Sequence, residues 1–148
     1  MNISIRTFVA PAIAAVSLVA CGILGPNHDW QLRPASVLVT PEGPAVAAPA
    51  TARAKVPFVV EITTTGGGCE RKGTTEVEIN QQTRTAEISP LDYTDAAAEV
   101  CTDILKTFKH TATVAFDTPG TATIRVFVGS DNPTFARPEV TRTVQITP

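Results

Sequence analysis

Between Val56 and Pro148 apolar side chains recur at every second position, a period that suits strands with one buried and one wet face. In "PFVVEITTT" Phe58, Val60 and Ile62 fall on one side, with Val59 and Glu61 opposite. "TEVEIN" puts Val77 and Ile79 inward between Glu76 and Glu78, and "TRTAEIS" sets Ala86 and Ile88 against Thr85 and Glu87. "HTATVAFD" aligns His110, Ala112, Val114 and Phe116, "TATIRVFV" aligns Ala122, Ile124, Val126 and Val128, and "VTRTVQIT" ends with Val144 and Ile146 in phase. The chain holds 22 threonines, whose β-branching favours a pleated surface over a helix.

Turn material separates these runs: "TTGGGCERKG", "NQQ", "DTPG" and "GSDNP". Gly66–Gly68 suit a mobile turn with positive φ. The spacing predicts an all-β antiparallel sandwich of about seven short strands with Greek-key connections. "PLDYTDAAAEVCTDILKTFK" (90–109) breaks the period and reads as a long crossover between the sheets, with Thr94 or Asp95 capping a short helix over Ala96–Val100. "FDTPGTATIRVFV" and "ATARAKVPFVVEIT" resemble two corners of bacterial immunoglobulin-like domains, with Lys55 where a Gly is common. That resemblance, over roughly residues 45–148, implies an immunoglobulin-like fold and says almost nothing of activity. The strand C Trp and inter-sheet cysteine pair of antibody domains are missing.

The other end of the chain carries a different signal. Phe8–Ala20 contains no charge and follows Arg6; it is too short to span a bilayer and has the dimensions of a secretory signal. Its last residues, Leu18-Val19-Ala20-Cys21, resemble the bacterial lipobox. By that resemblance the chain is cut before Cys21, which carries a diacylglycerol and an amide-linked acyl chain, enough for stable anchoring. Gly22 then implies transfer to the outer membrane of the cell envelope, where an Asp would hold a lipoprotein at the inner one. Residues 1–20 are therefore read as a leader, 21–44 as the lipidated terminus and a flexible Pro/Ala-rich tether, and 45–148 as the sandwich. A short strand over "SVLVT" (36–40) and a first sandwich strand in "AVAAPATARA", confined to an edge by Pro49, fit the same text.

With Cys21 acylated, Cys69 and Cys101 remain as an even pair in an oxidising compartment, and a disulfide between them is expected. Beyond the leader, 11 basic residues stand against 14 acidic ones, a balance that argues against nucleic acid as a partner. Neither His28 nor His110 sits in a motif for nucleophilic catalysis, and no catalytic residue is assigned. His110, on an inward face, reads as a partly buried His bonded to a neighbouring carbonyl. Cys69, Cys101 and His110 lack the spacing of a zinc site, so neither a metal nor a cofactor is expected. Trp30 reads as part of the tether and Phe127 as a lone apolar residue on a wet face.

The expected activity is thus an interaction or structural module, not an enzyme, held to the membrane by acyl chains and meeting an unknown envelope protein or polymer. A lipoprotein that binds carbohydrate, peptide or metal is the alternative. The densest mixture of charge and aromatic surface is Arg71, Lys72, Asp92 and Tyr93, drawn together by the disulfide as a candidate recognition surface.

Overall fold

The computed structural model describes residues 28–129 and 139–148. The leader, Cys21, Gly22 and most of "GSDNP" lie outside them. Among the described residues the chain is all strand and turn, with no helix.

Twelve strands follow in order: β1 Trp30–Pro34, β2 Ser36–Val37, β3 Val39–Thr40, β4 Gly43–Pro44, β5 Val46–Ala47, β6 Thr51–Arg53, β7 Phe58–Gly66, β8 Glu70–Asn80, β9 Thr85–Asp95, β10 Lys106–Val114, β11 Gly120–Phe127 and β12 Glu139–Thr147. The larger sheet runs β1-β9-β11-β12-β6, with β8 on the other edge of β9. The smaller runs β10-β7-β2, with β5 also on β7, and β3 and β4 form a separate two-stranded ribbon. One sheet curls as a half-barrel.

The period-two runs form six long strands, and their inward residues make the core, except that Val77 of β8, expected inward with Ile79, stays 38% exposed. Val60 and Ile62 from β7, Ala112 and Val114 from β10, Ile124 and Val126 from β11, and Val144 and Ile146 from β12 are almost wholly buried, with Phe116 between the sheets. Arg142 takes an inward phase between Val140 and Val144, and its guanidinium donates to the carbonyls of Val46 and Pro44.

Several expectations change. Residues 30–44, read as tether, supply β1–β4; their prolines fall at strand ends, where no ladder N–H is required. The two predicted N-terminal strands are present as short pieces. On either side of Pro49 the chain changes sheets, β5 pairing antiparallel with β7 and β6 parallel with β12 at an edge.

The crossover is shorter than expected, because "PLDYTD" continues β9 to Asp95. Pro90 is tolerated inside this strand because its edge is shared. β11 pairs with Thr85–Ile88 and β1 with Leu91–Asp95, so the missing N–H falls between the two neighbours. Chain then passes from the larger to the smaller sheet through residues 96–105. The expected helix is absent there. Asp95 does accept a bond from the Ala97 N–H, as a cap would, but so short a run without tertiary support does not propagate a helix.

β9, not β8, lies beside β11, and the two are parallel. In the immunoglobulin arrangement the third strand neighbours the sixth; here the fourth strand of the chain after the split first one is inserted between them. Lys55 stands where the corner resemblance has a Gly in common use. It holds φ 62°, the left-handed conformation that Gly adopts without penalty, and its N–H donates to the Phe116 carbonyl.

Candidate functional site

Cys69 and Cys101 form the disulfide, with Cα atoms 5.3 Å apart across 32 residues, tying the turn before β8 to the crossover after β9. Gly68 is required there for close approach, not for a positive φ as expected. A Cβ on Gly68 would stand 2.5 Å from the Thr102 carbonyl oxygen, and among the described residues the positive-φ glycines are Gly43 and Gly120.

Arg71, Lys72, Asp92 and Tyr93 do come together, but by strand pairing and not as two pinned loops: Arg71 faces Tyr93 and Lys72 faces Asp92 across β8 and β9. They divide between the two faces of the sheet. Arg71 and Tyr93 lie outward. Asp92, only 5% exposed, turns into the core, so it leaves the recognition surface to which it was assigned. Lys72 is exposed.

A fifth residue completes the outward group. β1 lays Leu32 opposite Tyr93 and brings Trp30 to the same end of the sheet. The Arg71 guanidinium carbon stands 4.0 Å from the Trp30 ring centroid and 4.8 Å from that of Tyr93. A cation held by two aromatic faces is stabilised by both ring quadrupoles. His28 stacks on Trp30 with centroids 5.4 Å apart and bonds to the Asp95 carboxylate. That bond holds Asp95 below the usual carboxylate range; burial opposes it, and the Asp29 and Ala97 N–H groups add to it. Sequence reasoning placed Trp30 in the tether, because a five-residue strand ending in Pro leaves too short a pattern.

Farther along the same face runs a shallow groove of about 500 Å³, lined by Glu76, Val77, Glu78, Glu87, Ser89 and Phe127. Phe127 is half-buried beneath Arg125, whose guanidinium carbon is 5.5 Å from its ring and which bridges Glu87 and Glu139 at 2.6 Å each. It is a covered residue, not an isolated one.

On the inner face, Asp92 joins a buried polar chain. His110 is wholly buried; its Nε2 meets Asp92 Oδ1 at 3.0 Å and its Nδ1 meets the Thr75 hydroxyl at 3.0 Å. Thr64 donates its hydroxyl to Asp92 Oδ2, and the Gly73 N–H donates to Oδ1. A carboxylate only accepts, so Nε2 carries the proton shared with Asp92. The expected carbonyl partner of His110 is thus replaced by a carboxylate and a hydroxyl. Thr64 and His110 belong to the smaller sheet, Asp92 and Thr75 to the larger; the chain of bonds fastens one to the other.

A bulge makes this possible. Residues 73 and 74 together face Leu91, which turns Thr75 inward although Arg71, four positions earlier, points outward. Gly73 permits the approach, since a Cβ would stand 2.3 Å from the Leu91 carbonyl oxygen. An isolated Gly in a strand pattern is the available sign of such a bulge.

Hydroxyl, imidazole and carboxylate in line are the groups of a hydrolytic triad, but their disposition differs. The hydroxyl belongs to a threonine, and the imidazole between it and the carboxylate is closed off from solvent. Every polar atom of the Asp92 carboxylate is satisfied within the fold. No known protein family, curated protein or solved structure matches this chain.

Proposed function

We propose that this chain is a lipid-anchored, non-enzymatic interaction module of the bacterial cell envelope, placed at the outer membrane through Cys21. Its sandwich is of immunoglobulin-like kind, altered by the insertion of β9 between β8 and β11. The lipobox residues Leu18–Cys21 support the anchor, and a disulfide in the folded domain is in keeping with an oxidising compartment. One observation carries the recognition reading: Arg71 is held between Trp30 and Tyr93 on the outward face of the larger sheet. Stacking engages the flat faces of a guanidinium and leaves the N–H fork in its plane to meet a carboxylate in bidentate fashion. Trp, Tyr and Arg are also the residues that most often dominate binding energy. The partner is accordingly an envelope protein or polymer that presents carboxylates.

A second reading, binding of a carbohydrate, gains from the same face, because Trp30 and Tyr93 share one rigid sheet and both offer stacking surface.

In-cell photo-crosslinking separates these. A crosslinker placed at Leu32, 45% exposed beside Tyr93, should trap a partner that one at Val59, 48% exposed on the smaller sheet, does not. Arg71→Ala with Tyr93→Ala should reduce that product at least about 10-fold, as removal of a central anchor does, with the thermal midpoint nearly unchanged. Equal products from both sites, or products indifferent to the double substitution, would remove this face from consideration. Salt-insensitive binding of a neutral oligosaccharide would favour the second reading.

A further inference from the structure

Three apolar side chains open to solvent lie within one short stretch of the crossover: Val100 at 87%, Ile104 at 51% and Leu105 at 78% exposure. A single exposed Val or Leu is ordinary; three together on a segment that cannot fold them inward are not. The segment is fixed on both sides, by the Cys69–Cys101 bond and by Lys106, whose ammonium donates to the carbonyls of Gly68 and Glu70.

The N-terminal chain enters the domain at this same end. The Ala96 N–H donates to the Asp29 carbonyl at 2.7 Å, and the Asp29 N–H donates to the Asp95 carboxylate at 3.0 Å. Only six residues separate Cys21 from His28, seven steps from one Cα to the next. Fully extended, that length reaches no more than about 25 Å. An acylated Cys21 would therefore keep the crossover close to the bilayer surface.

We propose that the crossover is a membrane-docking loop, whose Val100, Ile104 and Leu105 enter the interfacial zone of the phospholipid bilayer that holds Cys21. This rests on the lipid-anchor reading above. Tethering makes the contact intramolecular, so a small apolar gain suffices where free association would fail. Glu99 and Asp103 in the loop favour a zwitterionic surface over a strongly anionic one.

The test uses the full mature protein in phosphatidylcholine–phosphatidylethanolamine vesicles containing brominated acyl chains, after intact mass has shown the acyl groups. The chain has one Trp, so Trp30→Phe allows a single reporter to be placed by Leu105→Trp, by Ile104→Trp, or by Val59→Trp at the far end of β7. Both loop reporters should be quenched at least twofold more than the Val59 reporter. Equal quenching at all three sites in acylated protein would overturn the docking loop and leave the anchor standing. Loop reporters shielded from the lipid until the protein is diluted in the bilayer would place a second copy on the loop, and overturn it also. A mature chain without acyl mass would sink the anchor reading and this inference with it.

Discussion

His110→Ala is expected to cost about 3–5 kcal/mol of folding stability, the usual consequence of removing one partner from a buried charged or polar pair. The side chain is wholly buried and closes the Asp92 carboxylate on one side and the Thr75 hydroxyl on the other. Truncation would leave a cavity between the sheets and a carboxylate whose remaining partners, the Thr64 hydroxyl and the Gly73 N–H, do not replace the imidazole. The loss is a large part of a domain's ordinary margin of about 5–15 kcal/mol. Urea unfolding should show the midpoint moving with little change in slope. Replacing the side chains of the network together, with His110→Leu, Asp92→Leu, Thr64→Val and Thr75→Val, should restore much of the stability, since apolar groups of similar volume often serve as well as a buried pair. A loss below about 1 kcal/mol for His110→Ala would be that of an ordinary surface position, and would contradict the account of how the sheets are fastened.

Breaking the disulfide should have the second largest effect. Cys69→Ser with Cys101→Ser frees a loop of 32 residues, for which chain entropy predicts a loss of about 3–4 kcal/mol. No helix supports the crossover once the bond is gone, so amide exchange should rise first over residues 96–105 while β7, β10 and β11 remain protected. The double variant should unfold at a lower urea concentration than the oxidised protein, and reducing agent should bring the wild type to the same midpoint. Coincident midpoints for oxidised and reduced protein would show that the bond joins segments already held together.

Much of this architecture was legible because six strands repeat at period two long enough to declare a face. Val60, Ile62, Ala112, Val114, Ile124 and Val144 were placed inward by alternation alone, and all are buried. What was not legible rests on interactions without a local pattern. β1–β5 are too short to show a period; β1, β2 and β5 are each held by a long neighbour, β9 or β7, distant in the chain, and β3 and β4 pair with each other. Pro90 reads as a strand end until two strands share the edge on which its N–H is missing. The outward face of Arg71 was out of reach, because the bulge at Gly73 reverses the alternation that runs back from Ile79, Val77 and Thr75. Asp92 has a different cause: it continues the buried phase of Ala86, Ile88 and Pro90 beyond the proline that reads as the end of the strand. It stands in a charged, loop-like text, "PLDYTD", and only the buried histidine across the sandwich makes the interior tolerable for its carboxylate.

The outward and inward groups are linked through adjacent residues. Asp92 and Tyr93 are neighbours on β9, as are Arg71 and Lys72 on β8, so the network that fastens the sheets also holds rigid the strands presenting Trp30, Arg71 and Tyr93. Rigid support of a stacked arginine is what a recognition surface requires, because little ordering then remains to be done on binding.

The claim on which location, partner class and docking loop all depend is the anchor at Cys21. Intact-mass measurement of the protein extracted from bacterial envelopes tests it most directly. The account predicts a chain beginning at Cys21 with the added mass of a diacylglycerol and an amide-linked acyl group, and Cys21→Ala should remain uncleaved and unlabelled by fatty acid. A mature chain beginning elsewhere, or a Cys21 terminus without acyl mass, would contradict it.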